Sequence, residues 1–313
     1  MDIKYIGADE VSEKLKMNIC IDLMEDVFLD YANGKIKNVL RSMAPMGEGV
    51  LGCMPGVIKE KHAAGAKLIT VIHDNAKRGL PSHQGIVAIF DTENGMLKGI
   101  CDGTRITAIR TGAVSGLRTK YMSNPGAKTL AVIGSGVQAR MNTDAVLCVR
   151  DIENVNIWSR NRAHAEEFTA EMREKHPTVK FTVFDSGKEA VQNADVICTV
   201  TPGKDVVLKG EWLKKGVHIN AVGACTKADR ELDADCVKAA RLFTESAARC
   251  RAEGGDFVQA LNEGAVDENH LLGTLGEVVA GMKKARETQS DITIFNSLGL
   301  AEEDIACADF LLK

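Results

Sequence analysis

The chain has 313 residues, a length that suggests about two domains. Apolar residues make up 45% and charged residues 26%, which excludes a disordered, collagen-like or coiled-coil chain. The net charge of −4 gives no bulk attraction to nucleic acid or to an anionic membrane, so we expect neither as a partner. Abundant glycine (29 residues) and few aromatic residues (4%) indicate an α/β protein with an aliphatic core and many turns.

The cysteines and the N-terminus bear on the compartment. Nine cysteines are too sparse for a disulfide scaffold, and none has a zinc-site spacing with the seven histidines, so we predict no metal. The N-terminal sequence MDIKYIGADE lacks the basic-then-apolar layout of a signal peptide. No segment approaches the roughly 18–20 apolar residues of a membrane span. We therefore expect a cytoplasmic protein.

The first third of the chain combines one strong helix with strands that are interrupted by glycine. Apolar residues at helical spacing predict a helix over residues 18–33, with Asn18 as its N-cap and Gly34 just after its end. The sequence of residues 86–100 predicts a β-hairpin that turns at an Asn-Gly pair. Residues 104–122 are helical in character and precede an Asn-Pro-Gly sequence that marks a turn.

From residue 129 onward, short apolar strands alternate with helical stretches. Six strands are predicted, at residues 129–134, 155–159, 180–184, 195–200, 217–223 and 241–244. Such a pattern indicates a parallel sheet that is covered by helices on both faces, and six strands are usual for a doubly wound fold. The predicted fold class is therefore α/β, with a Rossmann sheet after a mixed N-terminal unit. The C-terminal tail, ITIFNSLGLAEEDIACADFLLK at residues 292–313, ends in a helix-like run, and we expect it to return to the first unit.

A glycine-rich sequence joins the first of these strands to a helical stretch and matches the pattern G-x-G-x-x-A. The first glycine permits a tight turn, the second lets the backbone approach a pyrophosphate, and the alanine lets helix and strand pack closely. The N-terminus of the following helix supplies N–H groups and a positive dipole to the phosphates. We therefore predict a dinucleotide site with contacts from Gly134, Gly136, Val137 and Gln138. The alternative is a turn that binds no ligand.

The end of the second predicted strand bears on the choice between NAD and NADP. Enzymes that use NAD usually carry Asp or Glu about 20 residues after the fingerprint, where the carboxylate binds the ribose 2′-hydroxyl. This chain has Ser159, Arg160, Asn161 and Arg162 there, and a guanidinium suits a 2′-phosphate. We therefore expect NADP(H) to be preferred, with the first three of these residues at the cofactor. The alternative is that the two arginines are solvated loop charges and that NAD(H) is used.

Ordered matches along nearly the whole chain resemble the ornithine cyclodeaminase/mu-crystallin family, most closely its ketimine-reducing members. The matches are Arg41, GAKLIT with Lys67, LPSHQG with His83, DGTRITAIRTGAVS with Asp102, Arg110 and Thr111, IGSGVQA, NAVGACTKADREL, LGEVVAG and FNSLGLAEED. The resemblance implies a homodimer with an active site between two domains. These are a discontinuous substrate and dimerisation domain (residues 1–121 with 301–313) and a Rossmann domain (residues 122–300). Activities in the family include ornithine and lysine cyclodeamination, alanine dehydrogenation and the reduction of imines of 2-oxo acids.

The resemblance assigns the substrate-binding cations to Arg41, Lys67 and Arg110. This is physically sensible, because the carboxylate of an amino or imino acid needs cations and arginine can bind it through two hydrogen bonds. Lys67 can also pass a proton if burial lowers its pKa, and His83 or a water is the other candidate donor. As alternatives, the cations are surface or structural charges, His83 is a structural histidine and Asp102 is a turn or cap residue. By resemblance, the cofactor also contacts Arg110, Thr111, Thr201, Val222, Gly223, Ser297, Leu298 and Gly299.

One departure from the family pattern bears on the reaction. Ornithine cyclodeaminases of the family carry an aspartate in the segment after the fifth strand, where this chain has Cys225. A thiol with a pKa of about 8.5 is mostly neutral at pH 7 and cannot hold an ammonium as a carboxylate does. The ketimine-reducing members also lack the aspartate and share Ser82-His83-Gln84. We therefore expect Cys225 to line the site rather than act as a nucleophile, with Asp102 and Asp229 as nearby carboxylates.

These observations predict an NADPH-dependent imine (ketimine) reductase, or an amino-acid dehydrogenase in the reverse direction. It would act on a small 2-imino acid by hydride transfer between reactants that the protein positions. One alternative is an ornithine cyclodeaminase, which forms proline and ammonia with bound NAD. Another is a non-catalytic NADPH-binding protein similar to lens crystallins.

Overall fold

The computed structural model describes residues 3–37 and 39–313, apart from the side chains of residues 73 and 76. Within these residues the chain forms fourteen strands and eleven α-helices. None of these helices is both long enough and apolar enough to cross a membrane.

The chain divides into two compact units. The first is made of Met1–Ala113 together with Gly299–Lys313, and the second of Val114–Leu298. The helix that the sequence predicts over residues 104–122 is continuous in the chain. The division after Ala113 therefore falls inside it. Each unit has its own sheet.

The first unit is built on a six-stranded sheet. Its strands are β1 (Tyr5–Ile6), β2 (Ser42–Met46), β3 (Gly49–Ile58), β4 (Ala63–Val71), β5 (His83–Asp91) and β6 (Leu97–Asp102). The helices before the division are α1 (Ala8–Lys14), α2 (Met17–Ala32), the start of α3 (Gly103–Met122) and two 3-10 turns (Lys59–Lys61 and His73–Arg78). The strand order is β1-β6-β5-β4-β3-β2, and neighbours pair antiparallel except β1 with β6.

Local signals predicted much of this unit. The hairpin of β5 and β6 is present, and Gly95 in its turn has a φ of 74°. The predicted helix over 18–33 is α2, but it begins at Met17 with Lys16 as its N-cap, so the assignment of Asn18 as the cap is wrong. The side chain of Lys16 makes no cap hydrogen bond, so α2 begins without the polar side-chain cap that Asn18 was expected to supply. Helix α1 was not predicted.

The second unit is built on a parallel sheet. Its strands are β7 (Thr129–Ile133), β8 (Asn154–Trp158), β9 (Lys180–Val183), β10 (Val196–Thr199), β11 (His218–Ala221), β12 (Ala240–Thr244), β13 (Leu271–Thr274) and β14 (Ile292–Asn296). Its α-helices after α3 are α4 (Val137–Val149), α5 (Arg162–Lys175), α6 (Gly187–Val191), α7 (Ala234–Ala239), α8 (Ala247–Glu253), α9 (Gly255–Asn262) and α10 (Leu275–Val279). Two 3-10 turns complete the unit, at Gly210–Trp212 and Glu268–His270.

The strand order of this sheet is β13-β12-β14-β11-β10-β7-β8-β9. The chain runs outward from β7 to β9 and then returns to β10 on the other side of β7, so the order reverses between β7 and β10. In doubly wound folds, ligands bind outside the carboxyl ends of the strands at such a reversal. The α/β fold class is confirmed.

The predicted count of six strands is wrong, because β13 and β14 also belong to the sheet. β14 lies between β11 and β12, although it follows both in the chain. Its sequence ITIFN was included in the predicted tail, because a short apolar segment gives no local sign of which distant strands it will pair with.

The chain ends in α11 (Ala301–Leu312), which belongs to the first unit and packs against β3, β4, β5 and α2. Nearly all of its residues are buried, as expected of a helix surrounded by protein. A Cβ added at Gly56 of β3 would lie 2.7 Å from Glu302 Oε1, so only glycine lets the helix and strand come this close.

The face of the first sheet that points away from α11 is apolar but exposed. The register of β3, β4 and β5 places Leu51, Val57, Leu68 and Phe90 on this face, and each is about 40% exposed. Lys67 has the opposite orientation on β4 and is only 1% exposed. The two faces of one sheet therefore differ sharply in burial.

Candidate functional site

Four charged side chains form a buried cluster in the first unit. Lys67 Nζ donates to Asp304 Oδ2 at 2.7 Å. Arg110 donates from Nε to Asp304 Oδ1 at 3.1 Å and from Nη1 to Glu303 Oε2 at 2.7 Å. All four residues are at most 7% exposed. An uncompensated buried charge is strongly destabilising, so each side chain of the cluster needs the others.

Three elements of the first unit bring this cluster together. Lys67 lies on the inward face of β4, opposite Met54 on β3 and Val87 on β5. Arg110 lies in the first half of α3. Glu303 and Asp304 lie in the first turn of α11, where the helix dipole favours carboxylates.

The environment of Lys67 lowers its pKa to about 8. Burial is the main cause, because it penalises the charged ammonium, and the neighbouring guanidinium of Arg110 adds to the effect. The carboxylate of Asp304 acts in the opposite direction and keeps the pKa from falling further. Lys67 is therefore mostly protonated at pH 7 and can still release a proton near neutral pH, as a general acid must.

The sheet brings Arg41 to the level of Lys67. Arg41 is half-buried and directly precedes β2, whose first residue, Ser42, pairs with Cys53 of β3. Carried one residue further, this register puts Arg41 opposite Met54, which in turn lies opposite Lys67. Two strand spacings of about 4.8 Å separate the two backbones, a distance that these long side chains can bridge toward one small anion.

His83 is placed differently. It is exposed, and its Nδ1 lies 3.0 Å from Ser82 Oγ. It occupies the same sheet face as Lys67, but it lies four residues along β5 from Val87, the partner of Lys67, or about 13 Å. The two candidate proton donors are therefore separated along the sheet.

Asp102 and Gly299 have structural tasks in the first unit. Asp102 Oδ1 accepts a hydrogen bond from the backbone N–H of Arg105 at 2.6 Å, which caps the start of α3. Gly299 has a φ of 71°, and a Cβ there would lie 2.5 Å from Arg110 Nη1. A glycine at this position therefore lets the backbone approach the guanidinium. Thr111 follows Arg110 on α3 and is half-buried.

The glycine-rich turn that the sequence predicts as a phosphate site joins β7 to α4 in the second unit. Gly134 has a φ of 121°, and a Cβ there would lie 2.8 Å from the carbonyl oxygen of Val200. Gly136 is the N-cap of α4, and a Cβ there would meet open space, while in the first turn Val137 is exposed and Gln138 is half-buried. Ala139 is completely buried in the core. The first-turn N–H groups of a 13-residue helix thus border an open space, which fits a dinucleotide pyrophosphate.

Arg160, in the loop after β8, has a carboxylate partner that the sequence did not predict. Arg160 Nη1 lies 3.2 Å from Asp205 Oδ2, and both side chains are about two-thirds exposed. Arg162 pairs with Glu166 and Asp185. The other two predicted residues organise the loop: Ser159 Oγ accepts from Ser135 Oγ at 3.0 Å, and Asn161 Oδ1 caps α5 through the N–H of Ala163.

The remaining predicted residues lie at the carboxyl ends of β10, β11 and β14. Val222, Ser297 and Leu298 are buried, while Thr201, Gly223 and Cys225 are half-buried. Cys225 donates through Sγ to the carbonyl oxygen of Val222 at 3.5 Å. The strand ends themselves are bound by two buried glutamates, Glu231 and Glu245, which the sequence did not single out.

The sequence also missed Glu303 and Asp304. Both lie in the segment FNSLGLAEED, but acidic residues in the first turn of a helix are usually explained by the helix dipole and solvent. The signal available was the apolar sequence IACADFLL directly after them, which indicates a buried helix and therefore buried carboxylates. Among the described residues, no group of three or more His, Cys, Asp or Glu side chains could hold a metal ion.

The chain matches proteins of known family along nearly its whole length. The model of the ornithine cyclodeaminase/mu-crystallin family matches residues 4–312. Ketimine reductase mu-crystallin of Rattus norvegicus is 36% identical over 310 residues, which cover 97% of this chain and 95% of that protein.

Two solved structures are also similar. Delta(1)-pyrroline-2-carboxylate reductase of Thermococcus litoralis, in complex with NADH and L-proline, has a TM-score of 0.96 at 34% identity, with 98% of this chain and 96% of that chain covered. An archaeal alanine dehydrogenase dimer with bound NAD has a TM-score of 0.94 at 29% identity, with 100% and 95% covered. The chain therefore belongs to the ornithine cyclodeaminase/mu-crystallin family.

Proposed function

We propose that this protein is a nicotinamide-dependent imine reductase that reduces a small 2-imino acid to the corresponding amino acid. The observation that carries the proposal is the buried cluster in which Asp304 holds Lys67, a lysine with a pKa of about 8. A buried acid of this strength suits protonation of an imine nitrogen. Relatives at 34–36% identity act on ketimines and on Delta(1)-pyrroline-2-carboxylate, which supports the substrate class.

The cations of the first unit have separate tasks in this proposal. Arg41 and Arg110 hold the substrate carboxylate, and Lys67 delivers a proton to the imine nitrogen. An ammonium has three donor hydrogens, so Lys67 can contact both Asp304 and the substrate. The reduced nicotinamide, when bound, supplies a hydride to the imine carbon. One hydride and one proton convert C=N to CH–NH, and the lysine regains its proton from water.

Cys225 supports reduction over cyclodeamination. Its thiol donates to a backbone carbonyl in its own loop, so it has a local structural partner. Cyclodeamination needs a carboxylate for the substrate amino group, and a thiol is mostly neutral at pH 7. We therefore propose that Cys225 lines the site.

For the cofactor, we propose NADP(H) over NAD(H). The support is the exposed guanidinium of Arg160 directly after β8, where a 2′-phosphate is bound in this fold. Asp205 competes for the same guanidinium, so the preference is expected to be modest. The ratio of kcat/KM for NADPH to that for NADH measures it, and the substitution Arg160→Ala should remove it.

We also propose a cytoplasmic homodimer, in which residues 1–121 and 301–313 supply the substrate and dimerisation domain. The exposed apolar face of the first sheet, with Leu51, Val57, Leu68 and Phe90, is the proposed interface, because faces of this kind mark association surfaces. The dimeric state of the archaeal alanine dehydrogenase supports the assembly. Nine free thiols, all within the described residues, suit a reducing compartment.

The experiment is a turnover panel. NADPH or NADH oxidation is followed with Delta(1)-pyrroline-2-carboxylate, a six-membered cyclic ketimine, and pyruvate with ammonia or methylamine. In parallel, L-ornithine and NAD are incubated with the protein, and proline and ammonia are measured. We expect turnover of at least one imine and no proline from ornithine. Absence of imine turnover with tight NADPH binding would instead favour a cofactor-binding protein without this activity.

A further inference from the structure

Two buried glutamates bind the strand ends that border the switch point of the second sheet. Glu231 and Glu245 are both fully buried. Glu231 receives hydrogen bonds from the ends of β10 and β11, and Glu245 receives them from the segment after β14. These three strand ends carry residues proposed above to contact the nicotinamide cofactor.

The contacts of Glu231 are evenly divided between its two oxygens. Oε1 accepts from the backbone N–H and the hydroxyl of Thr201, both at 2.7 Å. Oε2 accepts from the backbone N–H of Gly223 and the hydroxyl of Thr199, also both at 2.7 Å. Each oxygen therefore faces one backbone N–H, which can only donate. One carboxylate joins the ends of two neighbouring strands.

The surrounding residues are shaped around this carboxylate. A Cβ added at Gly223 would lie 2.5 Å from Glu231 Oε1 and 2.3 Å from the carbonyl oxygen of Thr201, so no other residue fits there without movement. The backbone of Glu231 is itself fixed, because Asp256 Oδ1 accepts from the N–H groups of Glu231 and Leu232 at 2.8 and 2.9 Å.

Glu245 accepts hydrogen bonds from the third strand end, that of β14, in the same way. Its Oε1 accepts from Ser297 Oγ at 3.0 Å, and its Oε2 accepts from the N–H of Leu298 at 2.9 Å. Asn296, the last residue of β14, donates to Asp256 Oδ2 at 3.4 Å. The three strand ends thus share one set of buried carboxylates.

We infer that Glu231 is a positioning residue for the nicotinamide cofactor, because it fixes the backbone at the carboxyl ends of β10 and β11 where that cofactor would bind. The inference rests on the proposed function. Glu231 receives its four hydrogen bonds from backbone N–H and hydroxyl groups at these two strand ends. Its contacts are concentrated at the edge of the sheet where doubly wound folds bind ligands.

The substitution Glu231→Gln tests this with little change in shape. A glutamine has one oxygen and one NH₂ group, so in either orientation its NH₂ faces a backbone N–H, of Thr201 or of Gly223. The hydroxyls can rotate, but these backbone donors cannot, and one strand end loses its acceptor. We expect the Kd for NADH to rise about tenfold and kcat to fall by a similar factor, from one unsatisfied buried donor.

The matched control is Asp195→Asn. Asp195 Oδ2 accepts from the N–H groups of Lys128 and Thr129 at 2.8 and 2.9 Å, so it joins the amino ends of β7 and β10 at the opposite edge of the same sheet. Asp195→Asn removes the ion pair of Asp195 Oδ1 with Lys214 Nζ at 2.6 Å, so it should lower Tm and leave the Kd for NADH within about twofold of the wild-type value. Both variants are compared well below their Tm, by calorimetric titration with NADH and by steady-state kinetics.

Each outcome decides the inference. A folded Glu231→Gln variant with wild-type Kd and kcat overturns it, as does an equal loss of cofactor affinity in Asp195→Asn. If Glu231→Gln does not fold, Glu231→Asp keeps the carboxylate but draws it back by one methylene from the N–H groups of Thr201 and Gly223, and an unchanged Kd in that variant also overturns the inference. A wild-type protein that binds neither NADH nor NADPH overturns the proposed function and the inference together. If the wild-type protein binds the cofactor and the Kd of Glu231→Gln is unchanged, only the inference is overturned and the proposed function stays intact.

Discussion

The two units bury charge in different ways. In the first, Lys67 and Arg110 face Glu303 and Asp304, so full positive charges meet full negative charges at 2.7–3.1 Å. In the second, Glu231 receives hydrogen bonds from backbone N–H and hydroxyl groups. The first arrangement is ionic, and the second satisfies a charge with dipoles.

This difference predicts separate roles for the two sets of buried charges, one in the chemical step and one in the geometry of the cofactor site. A cation that is paired with a carboxylate can exchange part of that pairing for a substrate carboxylate, and its pKa responds to both. A carboxylate that is bound by backbone N–H groups fixes the chain and offers no cation to a substrate. We therefore expect substitutions in the ionic cluster to change the chemical step and its pH dependence. Substitutions among the second unit's carboxylates should change cofactor geometry and stability.

The largest effect is expected from Lys67→Met, which removes the ammonium and keeps most of the side-chain volume. Loss of a general acid typically costs about 10²–10⁴-fold in kcat, while cofactor binding should stay close to the wild-type value. Steady-state kinetics with the imine and titration with NADH measure the two effects. The matched control is Lys98→Met. Lys98 pairs at 2.9 Å with buried Asp309 of α11, the helix that also carries the partner of Lys67, and it has no proposed role in catalysis. Equal losses in both variants would contradict the prediction.

A smaller effect is expected from Asp304→Asn, which leaves Lys67 in place and removes the carboxylate that keeps its pKa up. The pKa of Lys67 should fall below 8, so less of it is protonated at pH 7, and we expect about a tenfold loss of activity there. Lowering the pH should restore part of this loss, which a purely structural defect would not show. Asp309→Asn, in the same helix and equally buried, is the control.

The wild-type pH profile gives a third test of the ionic cluster. Lys67 must be protonated to donate, so kcat for imine reduction should fall about tenfold per pH unit above about 8. The reverse oxidation needs the neutral amine, so its rate should rise through the same pH range. A limb well below 8 would contradict the assignment of the proton to Lys67.

Local sequence signals were enough for much of the fold. The hairpin of β5 and β6, helix α2 and the fingerprint turn each depend on residues close in sequence, and all three are present. The position of β14 could not be predicted, because its neighbours β11 and β12 lie far from it in the chain. The alternating pattern identifies a parallel sheet but does not specify the order of its strands.

The candidate site shows the same limit. Lys67 and Arg110 were singled out because their residue types suit an anionic substrate, but their partners Glu303 and Asp304 come from the other end of the chain. Glu231 lies in a segment that matched the family pattern, yet a glutamate in ADREL looks like a surface residue. Burial of a carboxylate depends on distant donors, here the strand ends at Thr201 and Gly223, and no local pattern encodes that.

The smallest effect on activity is expected from Asp256→Asn, which tests the dipole-bound side of the comparison. Burial, and then the charge of Glu231, raises the pKa of Asp256 to about 7, against an ordinary value of 3.8 in the unfolded chain. Since the folded protein holds this proton more tightly, the group's contribution to stability is fully present below about pH 4 and is lost as the pH rises through 7. Asparagine keeps an oxygen for the N–H groups of Glu231 and Leu232 and cannot titrate, so kcat should stay within a few-fold of the wild-type value.

The free energy of unfolding, from urea titrations between pH 5 and 8, should fall less steeply with pH in the variant. An unchanged slope would mean that Asp256 stays ionised across this range, held by its N–H donors.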